Sequence, residues 1–332
     1  MKKILVIGGT GAFGTYLVPE LLSMGYAVDA ITLEEAESNH PNLRYITARG
    51  TDELLQSLFA ENRYAGIVDF IHYQPAEYAN RHRLLLENTD HLLFLSSYRI
   101  YADLEHPIRE TSPQLIDTAT DPLFLETDTY GLSKSRCERI LLDSAYDNWT
   151  AVRPLISSSK RRFDLITTGA PVLIERSRQG KPILLPESTR HKVAGLGWAG
   201  NVARMMARLV TSDNTFREAY TLGTGEVHTW DEVAGWYHDL LGSEFIWVNN
   251  EDFLKYGMPD SLGHRWMLEY DRMYDRTIDA GKMMAATGFT LSDFVPVHDA
   301  IARELAELPT DMHWAENADL TARMDGYIAG LK

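Results

Sequence analysis

The chain has 332 residues, 45% of them apolar, and its 32 Lys and Arg against 47 Asp and Glu give a formal net charge of −15. This size predicts a sizeable core in one large or two smaller lobes, and the acidic balance disfavours nucleic acid and acidic membranes as partners. No apolar run approaches the ~20 residues of a membrane span. Cys137 is the only cysteine, which excludes an intramolecular disulfide, so we expect a cytoplasmic protein.

The first half of the chain alternates short β-branched segments with helical ones, which is typical of a parallel sheet covered on both faces. The predicted strands are Lys3 to Ile7, Ala27 to Leu33, Leu43 to Thr47, Gly66 to His72, His91 to Ser96 and Thr150 to Arg153. The predicted helices include Gly14 to Met24 and Asp52 to Ala60. This alternation predicts an α/β fold, a Rossmann-type doubly wound parallel sheet.

The second half is less regular, but it contains segments that return to the first domain. A helix is predicted at Trp198 to Val210, a strand at Ala219 to Leu222, and a further helix at Trp230 to Leu241. We therefore predict a dinucleotide-binding domain at 1–155, joined by 195–225. Segments 156–194 and 226–332 are predicted to form a smaller, interleaved substrate lobe with a helix-rich C-terminal tail.

A glycine-rich loop directly follows the first predicted strand and opens a helix, which is the context of a dinucleotide-binding loop. Gly8 permits the tight turn, Gly11 lets the backbone approach a pyrophosphate, and Gly14 lets helix and strand pack closely. The positive end of the helix then faces the phosphates. The residues expected to contact the cofactor here are Gly8, Thr10, Gly11, Ala12, Phe13 and Gly14.

The end of the second predicted strand bears on the choice between NAD and NADP. An acidic residue there favours NAD and an arginine favours NADP, but this position is Thr32, followed by Leu33, Glu34 and Glu35. Because the glutamates oppose a 2′-phosphate, we predict NAD, with NADP left open. Asp52 is either an acceptor for the adenine amine or the cap of its helix, and we favour the cap.

Tyr130 and Lys134 lie four residues apart and therefore share one face of a helix. A free phenol has a pKa near ~10, and we expect the Lys134 cation and a nicotinamide ring to bring it toward neutrality. Ser97 follows an apolar strand, and the carboxyl ends of such strands bind ligands in doubly wound sheets. The sequence thus predicts a catalytic group of Ser97, Tyr130 and Lys134, in which Ser97 hydrogen-bonds the reacting oxygen.

From Met1 to roughly Gly242 the sequence resembles the extended short-chain dehydrogenase/reductase family, in its NAD-dependent epimerase/dehydratase branch. The matching segments are GGTGAFG at 8–14, LFLSSYRIYAD at 93–103, YGLSK at 130–134, VRP at 152–154 and LGTGEVHTWDEVA at 222–234. The resemblance implies catalysis by Ser97, Tyr130 and Lys134 and a cofactor contact at Pro154. It also implies a sugar-derived substrate and a homodimer formed through the Tyr130 helix and the segment Ala76 to Asn88.

Some positions depart from the pattern of that family. Tyr98 and Arg99 stand where its 4,6-dehydratases carry an Asp-Glu pair, which argues against dehydratase chemistry. Both are candidate substrate contacts, Arg99 through an anionic group, and a surface salt bridge is the alternative. His72 and Tyr73 lie at the end of the fourth predicted strand, and His72 is a candidate contact for nicotinamide. The fourth strand and the short connection after it resemble an atypical branch that contains chloroplast stem-loop RNA-binding proteins, which lack the tyrosine retained here.

We therefore expect an NAD(P)-dependent epimerase or dehydrogenase acting on a sugar or a sugar nucleotide, with the choice between the two reactions open. The alternative is a non-catalytic dinucleotide- or RNA-binding protein of the same fold. No metal is expected, because the histidines form no HExxH or similar pair. Five residues have helical spacing, which we interpret as packing, with the lining of a substrate pocket as the alternative: Trp266, Met267, Tyr270, Met273 and Tyr274.

Overall fold

The computed structural model describes residues 1–160 and 162–331. The strands are β1 (Lys3–Ile7), β2 (Ala27–Thr32), β3 (Leu43–Thr47), β4 (Gly66–Asp69), β5 (Leu92–Leu95), β6 (Trp149–Pro154), β7 (Ile156–Ser158), β8 (Ile183–Pro186), β9 (Leu196–Trp198), β10 (Glu218–Leu222) and β11 (Phe245–Val248). Seven of them form one sheet in the order β10-β6-β5-β4-β1-β2-β3. All pairs in this sheet are parallel. The predicted fold class is confirmed.

Helices occupy the connections between the strands and form the last part of the chain. They are α1 (Gly14–Ser23), α2 (Asp52–Glu61), α3 (Pro75–Glu87), α4 (Leu115–Thr118), α5 (Pro122–Leu125), α6 (Tyr130–Asp143), α7 (Ala170–Arg178), α8 (Ala199–Leu209), α9 (Trp230–Leu241), α10 (Asn250–Asp252), α11 (Leu262–Met267), α12 (Gly281–Thr287), α13 (Val297–Ala306) and α14 (Ala318–Gly330). Lys332, at the end of the predicted tail, lies outside the described residues. No helix in the described segments is long and apolar enough to cross a membrane.

The sheet is buried on both faces, as its continuous apolar strands require. On one face α1, α8 and α12 pack against side chains such as Val6 and Val28. On the other face α2, α3 and α6 pack against Leu5, Ile7 and their neighbours. Each fully buried leucine or isoleucine of this kind contributes about 1.5–3 kcal/mol to folding. Helix α6, which begins at Tyr130, is therefore held firmly against the sheet.

The remaining short strands belong to a separate apolar cluster beyond the end of the main sheet. Strand β8 pairs with β11, and β7 pairs with β9. Helices α7, α9, α13 and α14 bury side chains in this second cluster. Strand β10 nevertheless pairs with β6 in the main sheet, from Glu218 beside Thr150 to Leu222 beside Pro154. The chain thus crosses between the two regions more than once.

The order of the strands reverses at β1, which lies between β2 and β4. Helical crossovers leave in opposite directions from such a point and open a crevice at the carboxyl ends of the strands. The loop after β1 is on one side of this crevice, and the segments after β4 and β5 are on the other. These are the segments that carry the predicted cofactor and catalytic residues.

Candidate active site

The glycine loop after β1 is held against β2 by backbone hydrogen bonds. The N–H groups of Gly8 and Gly9 both donate to the Ile31 carbonyl oxygen at 2.9 Å. Gly8 has φ +98°, a conformation that L side chains rarely adopt. A Cβ on Gly14 would lie 2.3 Å from the Gly8 carbonyl oxygen, so α1 starts in direct contact with the turn. Phe13 precedes α1 and packs its ring 5.7 Å from that of Phe70.

A cavity of about 660 Å³ lies beside this loop at the carboxyl ends of β1 and β2. Its lining includes Gly8, Thr32, Gly50, Asp52 and Arg81. The hydroxyl oxygens of Thr32 and Thr10 are hydrogen-bonded at 2.5 Å, which links the end of β2 to the loop. A glycine turn without side chains next to a deep cavity fits the adenosine end of a dinucleotide. Thr32 and Asp52 both line this cavity, as a role in binding the cofactor requires.

The predicted cap of α2 is wrong. Thr51 occupies the cap position, and its hydroxyl accepts from the Leu54 N–H at 3.4 Å. Asp52 lies one residue later and accepts from the Arg81 Nε–H at 2.8 Å. Arg81 also donates to the Tyr73 hydroxyl at 3.0 Å. Because Thr51 satisfies the helix end, the Asp52 carboxylate is directed toward α3 and the cavity.

Ser97 follows β5, where the chain turns sharply away from the sheet. It caps a short 3₁₀ turn at Tyr98–Ile100, and its Oγ accepts from the Arg99 N–H at 3.2 Å. The neighbouring Ser96 hydroxyl is buried and has no hydrogen-bond partner within the described ranges. Strand β5 is therefore followed by two hydroxyls at the crevice, and that of Ser97 is held by a hydrogen bond from the Arg99 N–H.

Tyr130 is the first residue of α6 and is partly exposed. The His72 ring centroid lies 5.0 Å from the Tyr130 ring centroid, and the Arg99 Cζ lies 5.2 Å from it. Burial raises the pKa of the Tyr130 phenol above its ordinary value, while Arg99, Arg162 and a hydrogen bond with Ser97 act to lower it. The phenol is therefore protonated at neutral pH in the protein alone.

Lys134 lies one turn further along α6 and is buried. Its Nζ donates to the Leu95 carbonyl oxygen at 2.6 Å and lies 5.7 Å from the Tyr130 ring centroid. Burial lowers the pKa of Lys134 to about 8, against a weaker opposing effect of Asp69. The expectation that Lys134 brings the pKa of Tyr130 toward neutrality is not met in the protein alone, because burial of the phenol outweighs the nearby cations.

A second cavity, of about 330 Å³, opens directly beside Tyr130. Phe124, Trp266 and Tyr270 form an aromatic wall, with the rings of Phe124 and Tyr270 stacked at 4.0 Å between centroids. The remaining lining includes Arg99, Thr129, His264 and Met267. Trp266, Met267 and Tyr270 thus line a cavity, as the alternative interpretation predicted, and Trp266 also packs in an apolar cluster with Phe124 and Leu132. Phe124 in α5 and Thr129 before α6 were missed, because no motif marks this part of the chain.

The other predicted contacts differ in how far they are buried. His72 is exposed after β4, with its Nε2 3.3 Å from the Ser133 hydroxyl. Pro154 ends β6 and is buried opposite Leu222. Tyr98 is 1% exposed, and its hydroxyl donates to Asp271 Oδ2 at 3.0 Å. The structure therefore brings Arg99 to the cavity and places Tyr98 behind it.

The family model described as the NAD dependent epimerase/dehydratase family matches residues 4–223. Among curated proteins, the chain is 29% identical over 183 residues to a UDP-glucose 4-epimerase of Neisseria meningitidis serogroup A, which covers 46% of the chain and 51% of that protein. The chain thus spans about half the length of the curated relatives it matches.

Solved structures share the fold at low sequence identity. A dTDP-glucose 4,6-dehydratase from Bacillus anthracis, in complex with NAD, has a TM-score of 0.66 at 18% identity and covers 92% of this chain and 96% of its own. A UDP-glucose 4-epimerase from Thermus thermophilus, also in complex with NAD, has a TM-score of 0.64 at 18% identity, with 93% and 100% covered. From the extent of the family match, the chain belongs to the NAD-dependent epimerase/dehydratase family.

Proposed function

We propose that the protein binds NAD and catalyses a redox reaction at a carbinol or carbonyl carbon of a sugar derivative, with Tyr130 as the proton-transfer group. The observation that carries this proposal is the position of Tyr130 beside a cavity, near Ser97 and the cation of Lys134. The glycine loop and its cavity supply the binding site for the cofactor. The membership in an NAD-dependent family supports the same cofactor.

Bound NAD⁺ supplies a hydride acceptor and places a positive charge near the Tyr130 phenol, which favours the phenolate. In the oxidation, the substrate C–H bond breaks with its electron pair and the O–H proton moves to the Tyr130 oxygen. In the reverse direction the protonated Tyr130 returns that proton to the substrate oxygen. The Ser97 hydroxyl donates a hydrogen bond to the same oxygen and stabilises the charge that develops there.

Lys134 affects the Tyr130 phenol through its charge, from a buried position one helical turn away. Its ammonium is oriented by Leu95 and stays protonated at neutral pH, because its pKa is about 8. A fixed positive charge at this depth stabilises the Tyr130 phenolate once the cofactor is in place. Lys134 therefore supports the proton transfer without touching the substrate.

The similarity to UDP-glucose 4-epimerases favours a sugar nucleotide among the possible sugar derivatives. When the cofactor stays bound and the hydride returns to the opposite face, the net reaction is an epimerisation. When the reduced cofactor leaves, it is a dehydrogenation.

The proposal is tested with protein loaded with NAD and a panel that includes UDP-glucose and UDP-galactose. Reduction of the bound NAD is followed by absorbance, and conversion of the sugar by NMR. Tyr130→Phe should lower turnover at least about a hundredfold and leave the affinity for NADH within about threefold. Tyr146→Phe is the matched control, because its hydroxyl bonds to Glu87 on the helical surface. Unchanged turnover in Tyr130→Phe would contradict an enzymatic role of this residue and favour a non-catalytic binding protein.

We also propose that the protein forms a homodimer in which α3 and α6 make the contact. These two helices pack on the same face of the sheet and contact each other. An exposed pair on α3, Arg83 and Glu87, lies 2.7 Å apart. Light scattering would detect the dimer, and Arg83→Glu should weaken it if α3 forms the contact.

A further inference from the structure

Four arginines converge behind the cavity at Tyr130. They are Arg99, Arg162, Arg272 and Arg276. The carboxylate at their centre, Asp271, is 1% exposed. It accepts from Arg276 Nη2 at 3.0 Å, also accepts from Arg272, and lies 3.2 Å from Arg99 Nε. One carboxylate is therefore shared among three guanidiniums.

Arg272 and Arg276 use their remaining donors within the protein. Arg272 donates to the Ile166 carbonyl oxygen at 2.6 Å and to the Tyr98 hydroxyl at 3.1 Å. Arg276 donates to the Tyr101 carbonyl oxygen at 3.0 Å, and its guanidinium stacks on the Tyr98 ring at 5.2 Å. Both side chains are almost completely buried. These two arginines form a structural base for the site.

Arg99 differs from them in two respects. Its Nε–H lacks an acceptor with hydrogen-bond geometry in the part of the chain that the structure describes, although Asp271 is near. Its side chain also keeps 20% of its surface accessible, and Arg99 lines the cavity with Tyr130. The accessible part of the Arg99 side chain can therefore bind a molecule in that cavity, whereas its buried Nε lies beside Asp271.

The local charge is positive in the described residues. Asp164 pairs with Arg162 at 2.7 Å, and Asp103 attracts Arg276 from a greater distance. Among the described residues, Asp271 is the carboxylate in direct contact with Arg99, Arg272 and Arg276, and Asp164 also attracts Arg272. Burial lowers the pKa of all three guanidiniums. A buried excess of cations is stabilised by an anionic ligand.

We propose that Arg99 binds a carboxylate of the substrate, so that the molecule transformed beside Tyr130 is an acidic sugar such as a uronic acid. The planar guanidinium matches a carboxylate in a bidentate pair. Arg99 lies beside the Tyr130 ring. A substrate that contacts both residues must therefore carry its carboxylate close to its reacting oxygen, on the same small ring or on an adjacent carbon. This inference rests on the proposed function, since it assigns the substrate class of the same cavity.

A phosphate could satisfy the same guanidinium, and its source would be the diphosphate of a sugar nucleotide. The short distance between Arg99 and Tyr130 favours the carboxylate, because a diphosphate on the anomeric oxygen lies on the opposite side of the sugar ring from a reacting C4. The aromatic wall of Phe124, Trp266 and Tyr270 suits the apolar face of a sugar ring. The cavity of about 330 Å³ has room for one such ring.

The experiment compares twin ligands that differ only in the carboxylate. NAD-loaded protein is titrated calorimetrically with UDP-glucuronic acid and UDP-glucose, and with free D-glucuronate and D-glucose. We expect at least one acidic member to bind about tenfold or more tightly than its neutral twin. Arg99→Met should weaken binding of that acidic member about ten- to a hundredfold and leave the neutral twin within about threefold. Arg99→Lys should recover part of the loss. The control Arg63→Met, at an exposed arginine paired with Asp90, should leave the affinity for both twins unchanged.

Three results would overturn the carboxylate assignment. One is equal or absent binding of both acidic members by the wild-type protein, a measurement that does not depend on any variant folding. Another is an Arg99→Met variant that weakens acidic and neutral twins alike. The third is competition by inorganic phosphate against UDP-glucose that disappears in Arg99→Met, which would assign the subsite to the diphosphate. NAD reduction by neutral sugars without acidic preference would refute only this inference, whereas acidic preference without any NAD reduction would refute only the proposed reaction.

Discussion

The Lys134 ammonium donates a hydrogen bond to the Leu95 carbonyl oxygen at 2.6 Å, which fixes a positive charge beneath Tyr130. The side chain is 1% exposed, and burial lowers its pKa to about 8 from its ordinary value of 10.5. The unfolded chain therefore binds more protons than the folded chain between about pH 8 and 10.5. Below that window the buried charge opposes folding, and stability rises with pH across it.

Replacement of Lys134 by Met should therefore stabilise the protein at pH 7. A depression of the pKa from 10.5 to about 8 means that the buried ammonium lowers the free energy of unfolding by about 3 kcal/mol at pH 7. The variant also loses the hydrogen bond to Leu95, which offsets about 1 kcal/mol of that gain. We expect the free energy of unfolding of Lys134→Met to increase by about 2 kcal/mol at pH 7 and by less at pH 10. Urea unfolding at both values measures this, with the exposed Lys2→Met as control. A variant less stable than the wild type at pH 7 would show that the ammonium contributes net stability.

The two serines after β5 provide a paired test of the site. Ser97 is expected to hydrogen-bond the reacting oxygen, whereas the Ser96 hydroxyl is buried without a partner among residues 1–160 and 162–331. Ser97→Ala should lower kcat about a hundredfold or more, as loss of one donor to a developing oxyanion does. Ser96→Ala should change kcat less than about tenfold and leave stability equal or slightly higher. Equal losses in both variants would show that the strand end matters and not the Ser97 hydroxyl.

Local signals predicted several elements with their correct ends. Helix α9 runs from Trp230 to Leu241 as predicted, with a capping box between Thr229 and Glu232 and a left-handed Gly242 at its end. Strands β1 and β3 also have the predicted bounds. In these cases the residues that end the element lie beside it in the sequence.

Side-chain contacts decided other features, some of them between residues far apart in the sequence. The predicted fourth strand, Gly66 to His72, ends at Asp69, because the Asp69 carboxylate accepts from the Ile71 N–H at 3.0 Å and from the Tyr73 hydroxyl at 2.6 Å. That turn places His72 near Tyr130 instead of in the sheet. The approach of Arg272 and Arg276 to Arg99 joins segments more than 170 residues apart, and no local pattern contains this information.

The cavity beside the glycine loop makes the preference for NAD over NADP testable. Thr32 offers a hydroxyl and no charge, Glu34 and Glu35 follow it, and Arg49 lines the cavity as an opposing cation. Because two carboxylates follow Thr32 and one guanidinium lines the cavity, we expect NADH to bind about tenfold more tightly than NADPH at low salt. Quenching of protein fluorescence measures both affinities. The Glu34→Gln, Glu35→Gln double variant should narrow the difference, and tighter binding of NADPH by the wild type would contradict the prediction.

Gly11 tests whether the glycine loop binds a pyrophosphate. A Cβ on Gly11 would lie 3.3 Å from the Gly8 carbonyl oxygen, which requires only a small adjustment. Gly11→Ala should therefore fold, with a change in unfolding free energy below about 1 kcal/mol, and its methyl group should lower the NADH affinity at least about tenfold. Gly14→Ala should lose stability as well, because its Cβ would meet the Gly8 carbonyl oxygen at 2.3 Å.

The matched control for Gly11→Ala is Gly235→Ala in α9, where a Cβ meets no atom within 4 Å. This control should raise the free energy of unfolding by up to about 1 kcal/mol, since alanine is the better helix former, and should leave NADH binding unchanged. Calorimetric titration with NADH and urea unfolding on the same samples separate the two effects. If Gly11→Ala folds and keeps the wild-type affinity, the loop is a structural turn only, and the cofactor phosphates must be held elsewhere along the crevice.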